Sequence, residues 1–382
     1  MNFKIKVRVL AFYIYTILMF FDGAATEAIS LGCILAVIFF ERNYNQQHFG
    51  KRNYRIASCL ILAYVVLYLI QFFVGDLLTS NLIRLFGLTK CICTPLIAYI
   101  SFGDTLRESL PINFLMWIMC IFNTLYIVHT ICYGTSIENN SLLLNSVNCC
   151  CGISVVLLAV ILPLKTGHFK RLQLNKRLTY LFICLTLVNV IITDSTTSQV
   201  LLIIEIIIYL LSRVRLVRIK QAKQVERFLV TLGIGAVILL VYSIANGASI
   251  LGEYDLASRV LIWRRVYNRF ASLDLVNIIF GTGNDIIQTM TKSMEAHNVV
   301  LEITLIYGIV GVVLFVIIIL FFLKNIFNCN GMYRNNAVMA FVAYLMICFM
   351  HPFYTGAQKF QWICICSIIS LFRNLSLDRE SM

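Results

Sequence analysis

The sequence predicts an all-α fold: a polytopic bundle of about twelve transmembrane helices, ten to thirteen as the range, with both termini cytoplasmic. Three observations predict it. Of 382 residues, 60% are hydrophobic and only 13% charged, against roughly 25% charged in a soluble domain. The apolar residues fall into runs near the ~20 residues that a helix needs to cross a bilayer. The basic residues gather in short connections between those runs, on alternate connections, which is the cytoplasmic bias of membrane proteins. The formal net charge of +13 would point to nucleic acid if it formed one patch; divided among short clusters, it does not.

The runs cover 9–21, 24–40, 57–74, 83–100, 111–132, 142–164, 178–193, 199–212, 228–246, 299–323, 337–350 and 359–372. Lys4, Lys6 and Arg8 precede the first. Followed by an apolar run and Asp-Gly-Ala-Ala-Thr-Glu-Ala, they resemble a signal peptide. An uncleaved span is the preferred reading, because a second run follows at once and completes a hairpin. With this end cytoplasmic, alternation puts Arg42 to Arg55, Lys165 to Arg177, Arg213 to Arg227, Lys324 with Arg334, and Arg373 on the inner side. The outer side receives the charge-poor turns and one long connection. The chain therefore divides into spans one to nine (1–246), a long periplasmic or extracellular loop (247–298), and spans ten to twelve with a short tail (299–382).

Most of the fourteen cysteines lie inside apolar runs, as Cys91, Cys93, Cys149 to Cys151, Cys364 and Cys366 do, and act there as small apolar side chains. The long loop has none, so no structural disulfide is expected in it. Nor is there a CxxC pair of the zinc-binding kind.

That loop carries Arg259, Arg264, Arg265, Arg269 and Lys292. Long loops escape the inside bias, but a cluster of outer arginines calls for an anionic partner. Leu256, Val260, Trp263, Tyr267 and Phe270 recur at spacings of 4, 3, 4 and 3, one stripe of a helix, with Asp255 or Ser258 as its cap. Arg265 and Arg269 are neighbours one turn apart, and Arg259 and Arg264 flank the stripe. Such a helix lies on a membrane, stripe down, and offers guanidinium groups at headgroup depth. Their planar forks match phosphate oxygens. Anionic headgroups and a phosphate-bearing substrate both remain open as the partner.

Phe280-Gly-Thr-Gly-Asn-Asp285 follows as a tight turn; it lacks the pattern of a nucleotide loop. His297 stands at the mouth of the next span, where Asn298 and Glu302 share a face. A lone histidine there is more often structural, but the basic helix upstream favours a site. Lys90 lies about six residues below Arg84, and Glu205 about six below Gln199, so both sit roughly 9 Å beneath the outer surface. Charges in the membrane are usually paired or face a cavity. Lys90 and Glu205 are therefore expected to share an outward-opening polar cavity, with outward snorkelling of Lys90 as the competing reading. Full activity in a Lys90→Met/Glu205→Leu variant would dispose of the shared cavity.

Ser258-Arg259-Val-Leu-Ile262-Trp263, Phe280-Gly-Thr-Gly283, His297-Asn298, Leu301-Glu302 and Gly308-Ile-Val-Gly311 stand in an order that resembles the C-terminal signature of the O-antigen polymerase and O-antigen ligase family. About 55 residues carry the resemblance. It departs from the family at Thr193 to Gln199, where relatives often carry an arginine and this chain has none; Arg84 is the candidate replacement. The resemblance implies a membrane glycosyltransferase that moves a glycan from undecaprenyl diphosphate to an acceptor sugar, at the outer face of the cytoplasmic membrane. Arg259, His297 and Glu302 are then the expected catalytic residues: Arg259, supported by Arg264 or Arg265, to hold the departing diphosphate, His297 to deprotonate the acceptor or bind the diphosphate, Glu302 to orient His297, with a purely structural role as its alternative. Arg84, Lys90, Glu205, Arg264, Arg265, Arg269 and Asn298 are the expected substrate-binding residues. No metal and no cofactor are expected, since arginines can take a metal's place. The expected partners are the lipid-linked oligosaccharide, membrane lipids, and chain-length-regulating and flippase proteins; nucleic acid is not among them. Repeat-unit polymerisation for O-antigen or capsule is the leading function. A ligase, and in a different class a flippase of lipid-linked sugars, are its alternatives.

Overall fold

The computed structural model describes residues 7–18, 51–74, 109–133, 174–192, 255–282 and 298–328 continuously, with single helical positions among 29–40, 93–99, 151–161, 198–206 and 334–345. Among the described residues every regular element is a helix and none is a strand. In chain order these are α1 (Val7–Leu18), α2 (Lys51–Val74), α3 (Ser109–Tyr133), α4 (Lys176–Ile192), α5 (Asp255–Ala271), α6 (Leu275–Phe280) and α7 (Val299–Phe327). Three helices among the described residues are long and apolar enough to cross a membrane: α2 over Arg52–Gln71, α3 over Ile112–Tyr133, and α7 over its whole length. The runs at 228–246 and 359–372 lie outside the described residues.

Local chemistry sets several helix starts. Pro111 falls in the first turn of α3, where its missing N–H breaks no helical bond. Asn175 caps α4, its Oδ1 accepting from the Leu178 N–H at 3.2 Å. Once begun, α3 sorts its residues by face. Leu115, Met116, Met119, Cys120, Asn123 and Tyr126 are buried, while Trp117, Ile121, Leu125 and Val128 are exposed. The exposed row is apolar and spaced by 4, 4 and 3, the arrangement of a helix whose outward face meets lipid rather than water.

Helix α3 packs along α4, and the contacts give the direction. Asn113 Oδ1 accepts from the Asn175 N–H at 3.2 Å, Thr179 Oγ1 donates to Met116 Sδ at 3.8 Å, and Asn123 meets Thr186 and Asn189. Partners ascend together, so the two helices run parallel. Between them lies a buried polar knot. Asn123 Oδ1 accepts from Asn189 Nδ2 at 2.7 Å and from Ser154 Oγ at 2.9 Å, and Asn123 Nδ2 donates to Thr186 Oγ1 at 3.4 Å. In an apolar bundle such bonds hold helices in register, at about 0.6 kcal/mol each on average.

Helix α2 runs the other way along α7. Asn53 Nδ2 donates to Asn325 Oδ1 at 3.4 Å, and Tyr64 Oη to the Gly311 carbonyl at 2.7 Å, while Gln71 reaches Phe280, which packs on α7. The alternation expected from the sequence gives the same relative directions to the apolar runs at 57–74 and 299–323, and to those at 111–132 and 178–193. The antiparallel α2–α7 pair also gathers charge at one end: Lys51, Arg52 and Arg55 begin α2 beside Lys324 in the last turn of α7. Gln71, Phe280 and the whole α5–α6 segment stand at the opposite end.

Candidate functional site at the α6–α7 crossing

The long connection is more structured than one helix and a turn. Helix α5 ends at Ala271, and Asp274 caps a second, short helix, its side chain accepting from the Asn277 N–H at 2.8 Å. Helix α6 stops at Gly281 with φ 82° and ψ 174°, a conformation nearly confined to glycine. Helix α7 is broken at Gly308, with φ 63° and ψ −162°. The two glycines meet. A Cβ on Gly281 would strike the Ile306 carbonyl and the Gly308 nitrogen, and one on Gly308 would strike the Ile279 carbonyl and the Gly281 nitrogen. Only glycine lets two backbones approach this closely.

The neighbours fix this crossing. The Thr282 N–H and Oγ1 both donate to the Leu305 carbonyl, at 2.9 and 3.1 Å, satisfying an acceptor next to the break in α7. From α2, the Gln71 amide donates to the Phe280 carbonyl and, at 3.3 Å, to that of Gly281. Tyr64 packs edge-on against Tyr307, ring centroids 6.0 Å apart, and its hydroxyl holds the Gly311 carbonyl. The α5–α6 segment is thus tied to the bundle through backbone groups, and its position follows from the crossing.

Helix α5 docks on the first turns of α7. Ile262, Trp263, Val266 and Leu305 form a small buried cluster, with Phe270 and Leu301 packed against it. Burial of each large side chain there is worth about 1.5–3 kcal/mol. This corrects the expected stripe: Tyr267 is 62% exposed, and the covered row is Ile262, Trp263, Val266 and Phe270. The expected stripe is displaced by about one residue position, because contact with Leu301 and Leu305 selects the 262–266–270 edge of the helix. The stripe is also not turned down onto lipid; α7 takes it.

The arginines therefore separate. Arg264, Arg265 and Arg269 are exposed, on the face turned away from α7. Arg259 precedes Ile262 by three residues and Trp263 by four, so its position on α5 falls on the docked face. It does not flank the stripe opposite Arg264. Its side chain lies outside the described residues, as do Arg84, Lys90 and His297.

Asn298 caps α7: its Oδ1 accepts from the Val300 and Leu301 N–H groups at 3.0 and 3.3 Å. One turn on, Glu302 is 1% exposed, and its N–H donates to the Asn298 carbonyl at 3.1 Å. His297 immediately precedes this cap. Glu205 is likewise 1% exposed, and neither of its carboxyl oxygens has a hydrogen-bond partner among the described residues; its expected neighbour Lys90 lies outside them. Gln71 and the Asp274 cap were not foreseen from the sequence. Asp274 had a legible signal, a capping residue three positions ahead of Asn277; Gln71 had only its polarity near the end of an apolar run.

Among the described residues the fold is all-helical, with three helices long and apolar enough to cross a membrane, and the α5–α6–α7 junction stands at the end of the α2–α7 pair opposite Lys51, Arg52, Arg55 and Lys324. No protein-family model matches this sequence, and comparison with curated proteins gives no match.

Proposed function

We propose that the protein is a membrane glycosyltransferase that polymerises lipid-diphosphate-linked oligosaccharide repeat units into a surface polysaccharide, O-antigen or capsule, at the outer face of the cytoplasmic membrane. One observation carries this reading. The described pieces of the sequence signature, scattered over about 55 residues, belong to one packed junction: Trp263 on Leu305, Gly281 against Gly308, Thr282 on the Leu305 carbonyl, and Glu302 one turn into the same helix. A chance match in a hydropathy profile gives no reason for these segments to meet.

The topology goes with it: about twelve spans, cytoplasmic termini, and the junction outside. The basic end of the α2–α7 pair supports this orientation, because the junction occupies the other end. The carrier's diphosphate then reaches the junction from the outer leaflet. Arg259, on the α7-facing side of α5, holds the diphosphate and stabilises the charge that develops as it leaves. His297 takes the proton of the acceptor hydroxyl, with the Asn298 cap fixing the backbone beside it. Glu302 orients His297. Arg84, Lys90 and Glu205 are assigned to binding of the lipid-linked substrate, Glu205 as a buried carboxylate without a hydrogen-bond partner among the described residues. The bond broken joins the sugar to the carrier phosphate; the bond formed joins it to the acceptor oxygen.

A ligase would use the same groups. A strain lacking the protein separates the two readings: a polymerase leaves single-repeat lipid-linked glycan to accumulate, whereas a ligase leaves long unattached chains. A flippase instead leaves its substrate on the inner leaflet. Accumulation of neither glycan on the outer leaflet would count against glycan transfer of either kind.

A further inference from the structure

The outward face of α5 presents a second chemistry. Besides Arg264, Arg265 and Arg269, it exposes Leu261 at 57% and Tyr267 at 62%, and α6 continues with Leu275 at 72% and Val276 at 55%. None of the three arginines forms an ion pair with a described residue. Four large apolar side chains among exposed cations suit neither water nor hydrocarbon; they suit the layer between.

Two helices place α5 in that layer. The apolar stretch of α2 runs from Arg52 to Gln71, and Gln71 bonds to the Gly281 side of the crossing. Counting back about 20 residues, one bilayer's hydrocarbon, from Lys324 on α7 reaches Leu305, next to the same crossing. Exposed large apolar residues on α7 begin at Ile309 and are absent from Val299 to Gly308. The hydrocarbon boundary therefore falls at the Gly281–Gly308 level. Helix α5 docks on Leu305 and Leu301, which lie three and seven residues beyond Gly308, or about 5 and 10 Å at 1.5 Å per residue. Headgroups occupy roughly the first 5–8 Å past the hydrocarbon.

We infer that the outward face of α5 is an anionic-phospholipid docking surface, in which Arg264, Arg265 and Arg269 bind headgroup phosphates while Leu261, Tyr267, Leu275 and Val276 enter the outer leaflet. This assigns the three exposed arginines to the bilayer and not to the reacting diphosphate, and it stands whether or not the protein transfers glycans. The surface holds the junction at fixed depth, level with any phosphate anchored in that leaflet.

A local probe tests it. The full-length protein, with a photo-crosslinking amino acid installed at Leu261, is reconstituted in nanodiscs of equal phosphatidylcholine and phosphatidylglycerol. The expected adduct is phospholipid, with phosphatidylglycerol favoured at least tenfold, since each arginine near the surface contributes about fivefold. In the Arg264→Gln/Arg265→Gln/Arg269→Gln variant the preference falls to near parity. The corresponding triple lysine variant keeps it, because point charges suffice for headgroups whereas a bidentate site discriminates against lysine. Absence of a lipid adduct, or equal labelling of both lipids in the wild type, overturns the proposal. So does preferential labelling of undecaprenyl diphosphate when that lipid is added at one part in a hundred.

Discussion

Gly308→Ala is expected to lower the stability of the protein by about 3 kcal/mol or more, and Gly281→Ala to do the same. Each glycine sits at a positive φ with extended ψ, where a side chain costs about 1–3 kcal/mol in backbone strain alone. Added to that is a collision with backbone, since a Cβ at Gly308 would lie 2.5 Å from the Gly281 nitrogen. Backbone in a packed crossing cannot rotate away as a flexible side chain can. Relief would require separating α6 from α7, which also breaks the Thr282 and Gln71 hydrogen bonds and uncovers the Trp263 cluster. The measurement is the thermal midpoint of purified protein, with a fall of about 4 °C or more for an effect of this size in a chain of 382 residues. Gly32, with nothing within 4 Å of its would-be Cβ, is the control: Gly32→Ala should leave the midpoint unchanged. A wild-type midpoint for Gly308→Ala would mean that the crossing does not exist as described.

Arg259→Ala is expected to cut the rate of glycan transfer by about a hundred- to a thousandfold, the usual loss when a fixed donor to developing charge is removed. The thermal midpoint and the membrane yield should stay near those of the wild type, which separates loss of chemistry from loss of fold. Arg259→Lys should recover only part of the rate, because an ammonium offers a point charge and not a planar fork. By contrast, removing Arg264, Arg265 and Arg269 should lower turnover far less. Their exposed face points away from α7, whereas the Arg259 position is on the docked side. If the triple variant lost activity as completely as Arg259→Ala, all four arginines would belong to one substrate site, and the division of labour drawn from α5 would be wrong.

How far the sequence could be read depended on what kind of signal each feature leaves. Apolar length and basic clustering are summed over many residues, so α2, α3 and α7 were legible, and their relative directions follow from alternation. The α5 helix was legible for the same reason. Its docked edge was not, because periodicity defines a stripe only to within about one residue position; Leu301 and Leu305 on α7 make that choice, and no local rule contains them. The junction itself was read only as a turn. Gly281 and Gly308 each pass for an ordinary breaker, and the close approach that requires both is a relation across 27 positions. The Asn123–Ser154–Thr186–Asn189 knot was missed likewise: each residue alone is a tolerated polar side chain in an apolar run, and only their meeting gives it meaning. Asn298 is an expected substrate ligand, and its side-chain oxygen has a second task that the sequence does not announce, the capping of α7.

The most direct test is reconstitution of the purified protein with lipid-linked repeat units, scored for products on a gel. A ladder spaced by one repeat, formed in the presence of chelator and abolished by Arg259→Ala, is the predicted result. Repeat units that cross the vesicle membrane without lengthening, or a ladder that needs added magnesium, would contradict it: the first would make the protein a transporter, the second would take the diphosphate away from the arginine.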